Sequence, residues 1–205
     1  MKQEKLRLVL LNNYSNSEKT EVTLRSLAKS TSQKIELVDY RTPNLYEKIM
    51  HKAPDFLFLS GSSHMLTRPE NQRNFEPETR IVMDASFPIL GICYGHQLIG
   101  KTFGARLSDL GRMCTGFERV KILQDHPLFD DLSNEIRVPE SHRQALASVP
   151  TGFDCLAESA SSKVEIMAHK TRPIYGFQFH PERSDDEHPD GRILIQNLLR
   201  LAVKA

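Results

Sequence analysis

Short apolar runs alternate with longer amphipathic stretches through the first half of the chain. The runs at residues 6–11, 35–38, Phe56–Leu59 and Ile89–Ile92 are apolar at almost every position, the pattern of strands covered on both faces. The segments between them are long enough for crossover helices. Residues 17–30 form one, with Leu24, Leu27 and Ala28 on a single face. This alternation predicts a parallel sheet of βαβ units with helices on both sides.

From Leu107 to Glu158 the pattern changes to short strand-like pieces, residues 119–123, 135–138 and 153–156, set between turn residues. Two further pieces, 164–168 and 174–179, are joined by a turn over 170–173. A last helix begins near Asp190, which suits an N-cap, and carries Ile193, Leu194, Asn197, Leu198 and Leu201 on one stripe. No repeat, low-complexity stretch or linker interrupts the chain. The expectation is a single domain over residues 1–205. It is an α/β domain of three layers, a mostly parallel sheet flanked by helices with a small antiparallel extension.

Length and composition agree with that picture. At ~150 residues per domain, 205 residues give about 1.4, so one large domain leads. Such a chain buries about 70% of its extended surface and needs no disulfide or structural metal. It is 39% hydrophobic and 26% charged, too apolar for disorder. Twenty-seven Lys and Arg stand against twenty-six Asp and Glu, a net +1. That balance argues against nucleic acid as a partner. The longest early apolar run is too short for a signal peptide or a membrane span. Cys93, Cys114 and Cys155 have no CxxC spacing, which predicts neither a disulfide framework nor a zinc site. The expectation is a reduced, cytoplasmic protein that uses no cofactor and no metal.

The densest chemical signal is Pro88-Ile-Leu-Gly-Ile-Cys-Tyr-Gly-His-Gln97. A strand runs into Cys93, a helical pattern follows at once, and Gly91 and Gly95 flank the cysteine symmetrically. A sharp strand-to-helix turn strains the backbone at its apex, and flanking glycines relieve the crowding; serine hydrolases present their nucleophile in this way. A helix N-terminus also favours a thiolate over a thiol. Nothing around Cys114 or Cys155 has this shape, so they read as structural.

A thiolate nucleophile needs a proton shuttle, which can lie far away in sequence. Among eight histidines, His180 stands out in Phe177-Gln-Phe-His-Pro-Glu182. It ends a predicted strand, with Glu182 two residues on to orient and charge-stabilise the ring. His51, His64, His126, His169 and His188 read as surface or packing residues, while His96 and His142 stay undecided. The acidic stretch Asp185-Asp-Glu-His188 reads as a solvated loop. The third strand ends in Leu59-Ser-Gly-Ser-Ser63, on the sheet edge where Cys93 emerges. A glycine there lets a backbone N–H approach a substrate.

Together these segments resemble the class I glutamine amidotransferases. Residues 91–97 resemble the family's nucleophile elbow, residues 177–182 its His-x-Glu segment, and Ser60-Gly61 its oxyanion strand, in the family's order. The resemblance implies hydrolysis of the glutamine side-chain amide and delivery of ammonia to a separate synthetase partner. It makes Cys93 the nucleophile, His180 the general base and acid, and Glu182 its orienter. It assigns the oxyanion hole to the N–H groups of Gly61 and Tyr94, and a contact with bound glutamine to Gln97. Glu140-Ser-His142 resembles the segment of the GMP synthetase branch that holds the amino-acid end of the substrate, which implicates Ser141 and His142. Departures from the family pattern are Ser62-Ser63 after the oxyanion glycine, Arg143-Gln144 after Ser-His, and a lone Gly104 where a glycine pair is usual. Ser62 and Ser63 predict an unrestrained oxyanion loop. Two alternatives share these residues: a γ-glutamyl peptidase acting without a partner, and a non-catalytic subunit of the same fold.

Overall fold

A computed structural model describes residues 5–68, 70–71 and 75–204. Among these residues, one nine-stranded sheet runs in the order β2-β1-β3-β4-β9-β8-β7-β5-β6. The first five positions are parallel: β2 (Ile35–Asp39), β1 (Leu8–Asn12), β3 (Phe56–Leu59), β4 (Ile89–Ile92) and β9 (Ile174–Phe177). The rest pair antiparallel: β8 (Ile166–His169), β7 (Phe153–Glu158), β5 (Leu107–Ile122) and β6 (Glu135–Leu146).

The continuous apolar runs of β1, β3 and β4 are buried at every position, because helices cover both faces. Leu8, Leu10, Phe56, Phe58, Leu90 and Ile92 face one core with Leu27 of α1 (Ser17–Thr31) and Leu194 and Leu198 of α5 (Asp190–Lys204). Val9, Leu11, Leu57, Leu59 and Ile89 face the other. There they meet Ile49 of α2 (Leu45–Lys52), Ile81 and Val82 of α3 (Glu76–Asp84), and Leu98 and Ile99 of α4 (Tyr94–Thr102). The alternation of side chains along each strand makes the three layers. No helix among the described residues is long and apolar enough to cross a membrane.

Two details differ from the sequence expectation. The antiparallel part is not a set of short pieces, since β5 and β6 are 16 and 12 residues long and pair over most of their length with a shift between Asp109 and Cys114. Most of β5 is exposed, so no buried face imprints a hydrophobic period on it. Asp190 lies inside α5 rather than capping it, and its carboxylate accepts the Arg137 backbone N–H of β6 at 2.7 Å.

Candidate active site

The parallel strands β1, β3, β4 and β9 end along one edge of the sheet, and their extensions converge there. Cys93 follows β4 directly and stands at φ 51°, ψ −97°. A positive φ is strained for a residue with a Cβ. The backbone is held there at both ends: the Cys93 N–H donates to Phe177 O at 2.7 Å, and the Gln97 N–H donates to Cys93 O at 3.0 Å. The glycines explain how the turn fits. A Cβ on Gly91 would stand 2.6 Å from the His96 backbone nitrogen, and one on Gly95 would stand 2.5 Å from Leu59 O of β3.

His180 comes to Cys93 from the far side of β9. Its N–H donates to Pro139 O of β6 at 2.9 Å, and its ring interacts electrostatically with Cys93. On the other side Nδ1 lies 2.8 Å from Glu182 Oε1. Both side chains are almost wholly buried. Burial alone would pull the imidazole down, but the Glu182 carboxylate and the Cys93 sulfur reverse that, and it is pushed up to about 9. Burial raises the Glu182 carboxyl, yet the neighbouring His180 and then Arg183 outweigh it and leave it below its ordinary range. Arg183 Nε lies 3.6 Å from Glu182 Oε1.

Gly61 packs against this pair, since a Cβ there would stand 2.8 Å from His180 Cε1 and would overlap the Tyr14 hydroxyl. The loop that carries it is tied down, contrary to the unrestrained loop expected from Ser62 and Ser63. Ser62 Oγ donates to Asn13 O at 2.7 Å and accepts the His64 N–H at 3.0 Å. Ser60 Oγ accepts the Asn13 N–H at 2.8 Å and donates to Gly61 O. A short hydroxyl side chain stitches adjacent backbone into a turn, and here it anchors the loop to the end of β1. Tyr94 is the first residue of α4, where backbone N–H groups have no intrahelical acceptor. Its ring is buried against Phe75, with centroids 4.9 Å apart.

These residues border a cavity of about 380 Å³ whose wall includes Tyr14, Ser62, Cys93, Gln97, Ser141 and His180. The three residues assigned to substrate by resemblance all border it, with their polar groups largely turned inward. Gln97 Nε2 donates to Gln144 O at 2.7 Å and to Gln178 Oε1 at 3.2 Å. Ser141 presents its carbonyl oxygen 3.8 Å from Cys93 Sγ. His142 is buried, with Nδ1 3.1 Å from Gln144 O and Nε2 3.3 Å from Glu140 Oε2.

The remaining candidates separate cleanly. His96 is fully buried behind the elbow, and burial pulls it down to about 3, so it stays neutral. His64, expected as a surface or packing residue, packs against Phe75 and Tyr40 and also borders the cavity, where it meets Ser15 Oγ at 3.0 Å. Asp185 accepts the N–H groups of Glu187 and His188, so the acidic stretch is a self-bonded loop. Burial pushes the Cys155 thiol up. Tyr14, Asn13, Arg183 and Gln178 are part of the site and were missed by sequence reasoning. Their shared signal is position: each lies within two residues of the end of β1 or beside the His180 motif.

The family model for glutamine amidotransferase class-I matches residues 9–200. One subunit of the glutamine-hydrolyzing GMP synthase of Pyrococcus abyssi is 35% identical over 155 residues, 76% of this chain and 79% of that protein. The corresponding protein from Thermococcus kodakarensis is 44% identical over 114 residues, 56% of this chain and 60% of the relative. Among solved structures, a putative GMP synthase subunit of Thermoplasma acidophilum superposes with a TM-score of 0.83 at 27% identity, covering 98% of this chain and 96% of its own. A glutamine amidotransferase of Thermotoga maritima shares the fold, with a TM-score of 0.74 at 15% identity over 99% of this chain and all of its own.

Proposed function

The chain belongs to the class I glutamine amidotransferases, and we propose that it releases ammonia from glutamine through Cys93, His180 and Glu182 for a separate synthetase partner that makes GMP. The observation that carries the reading is the alignment of three groups: a cysteine at the strained apex of a strand-to-helix turn, a buried histidine that interacts with it, and a buried carboxylate 2.8 Å behind the ring. The whole chain acts as one glutaminase domain.

The chemistry follows from that alignment. The Cys93 sulfur attacks the glutamine Cδ, and the resulting oxyanion is held by the N–H groups of Gly61 and Tyr94. Each such donor lowers the barrier by roughly 2.7–4 kcal/mol in comparable sites. His180 gives its proton to the departing ammonia, then activates the water that cleaves the glutamyl thioester. Glu182 keeps Nδ1 protonated and stabilises the imidazolium without moving a proton itself. Gly61 is held ready by its anchored loop. Gln97, Ser141 and His142 shape the wall against which the amino-acid end of glutamine lies. The GMP branch is supported by relatives at 34–44% identity that are GMP synthase components.

The test measures ammonia release by the chain alone and with a GMP-forming synthetase and its substrates. Slow release by the chain alone that accelerates when the synthetase is added supports the reading. Full activity without a partner, with γ-glutamyl dipeptides cleaved faster than glutamine, replaces it with the peptidase alternative.

A further inference from the structure

Behind the cavity wall, and reaching it through His142, lies a second group of chemistry-bearing side chains outside the triad. Glu140 and His142 of β6 and Glu165, just before β8, place one ligand-type atom each within 4.8 Å of the others. All three are at most 4% exposed. Charged side chains are rarely buried this deeply unless paired. Yet among the described residues no lysine or arginine acts on any of the three.

The hydrogen bonds around the group leave lone pairs pointing inward. His142 Nδ1 lies 3.1 Å from Gln144 O, and a carbonyl only accepts, so Nδ1 carries the proton. Nε2 of the neutral ring is then a bare lone pair, 3.3 Å from Glu140 Oε2. Ser161 Oγ is 3.4 Å from Nε2 but gives its hydrogen to Glu118 at 2.6 Å. Glu165 Oε1 accepts from Ser159 Oγ at 2.7 Å, while its Oε2 and both oxygens of Glu140 have no hydrogen-bond donor. Burial, and then the Glu118 carboxylate, push the Glu140 carboxyl up, while burial and then Glu140 push Glu165 well above its usual range. Facing lone pairs repel one another unless a proton or a cation sits between them.

We propose that Glu140, His142 and Glu165 form a structural site for one divalent zinc-class cation. Two carboxylates and one neutral imidazole match the charge and the borderline-soft character of Zn²⁺. Ligands of a tetrahedral zinc stand ~3.3 Å apart at bond lengths near 2.0–2.1 Å, and the His142–Glu140 pair is already at 3.3 Å. The supporting shell is also in place. A metal-bound histidine characteristically donates its other N–H to a carbonyl or carboxylate, and ligating carboxylates are themselves hydrogen-bonded. Gln144 O and Ser159 Oγ fill those two roles. His142 borders the cavity, which provides a route of entry. The ion would tie β6 to the segment before β8. Ser141, between the two β6 ligands, touches Cys93 Sγ through its carbonyl, and Glu165 O accepts the Gln178 N–H at 2.8 Å. The cation therefore acts as a strut behind the glutamine pocket. The proposal departs from the expectation of a protein that uses no metal.

The test uses the full chain carrying Cys93→Ala, which removes the one thiol able to compete with the site from beside His180. Zn²⁺ is titrated in competition with a chromophoric chelator, and bound metal is counted by elemental analysis after dialysis. One equivalent per chain is expected, with affinity lowered more than ~100-fold by Glu165→Gln, which removes a ligand, and about 10-fold by Ser159→Ala, within the range for ligand-supporting groups. Ser159→Ala keeps all three ligands, so it still tests the site if Glu165→Gln fails to fold by circular dichroism. Absence of stoichiometric Zn²⁺ uptake, or uptake unchanged in both variants, overturns the proposal. In that case the group is a proton-sharing carboxyl pair, and Glu140→Gln then raises stability without any dependence on metal.

Discussion

Glu182→Gln keeps the shape of the side chain behind His180 and removes its charge. In the wild type the imidazole is pushed from 6.5 up to about 9, although burial pulls the other way. A rise of that size favours the imidazolium by about 3 kcal/mol, at 1.36 kcal/mol per pH unit. Glu182 is the largest of the raising influences. Without it the ring should titrate well below 9. On the proposed mechanism Glu182 holds the reactive tautomer and stabilises the imidazolium that protonates departing ammonia, so kcat at pH 7 should fall steeply, by up to the ~10⁴-fold found where an amide replaces the orienting carboxylate of a triad. The ring titration is read by NMR of labelled histidine, and kcat by ammonia release with saturating glutamine. Stability follows with a definite sign. The raised His180 contributes fully below about 6.5 and loses its contribution as pH rises through about 9. The lowered Glu182 contributes above 4.5 and loses its contribution as pH falls through its depressed value. The wild type should therefore exceed Glu182→Gln in stability most strongly between about 4.5 and 6.5. A ring that still titrates near 9 in the variant, or unchanged kcat, would refute the reasoning.

Further outcomes are equally specific. Cys93→Ala should abolish glutamine hydrolysis and labelling by a diazo-ketone glutamine analogue, whereas Cys114→Ala and Cys155→Ala retain both; activity that survives the first and disappears in either of the others sinks the assignment. Gly95→Ala drives a Cβ to 2.5 Å from Leu59 O, backbone that cannot retreat, and should cost about 1–3 kcal/mol in chemical unfolding; a variant as stable as wild type contradicts the packing at the elbow. Glu78 is fully buried, and burial lifts its carboxyl from 4.5 to about 8, so ionising it opposes folding by about 5 kcal/mol. The sign is that of a raised acid: the cost is absent below about 4.5 and complete above about 8. Urea unfolding of Glu78→Gln should match wild type in acid and exceed it increasingly up to pH 8. Equal pH dependence of the two proteins would show that Glu78 stays ionised at no cost.

The chain alone determined what local rules reach. β1, β3 and β4 are legible because both of their faces are covered, which writes an unbroken apolar run into the sequence. The elbow is legible because strand, cysteine, glycines and helix lie within ten residues, and His180–Glu182 because a 3-10 turn at Pro181–Arg183 closes the pair locally. Tertiary structure decided the rest. The long strand β5 is mostly exposed, so no hydrophobic period marks it, and Ser141 and His142 reach the cavity only because β6 pairs with it. Tyr14 and Asn13 join the site because β1 lies beside β3 at the same sheet edge, a pairing that no nearby residue encodes. The buried acids are the sharpest case. Composition places glutamates in water, yet Glu78, Glu140 and Glu165 are each at most 4% exposed. Whether a carboxylate is solvated, protonated or bound to a cation depends on the groups that surround it in space, and those come from strands far apart in the chain.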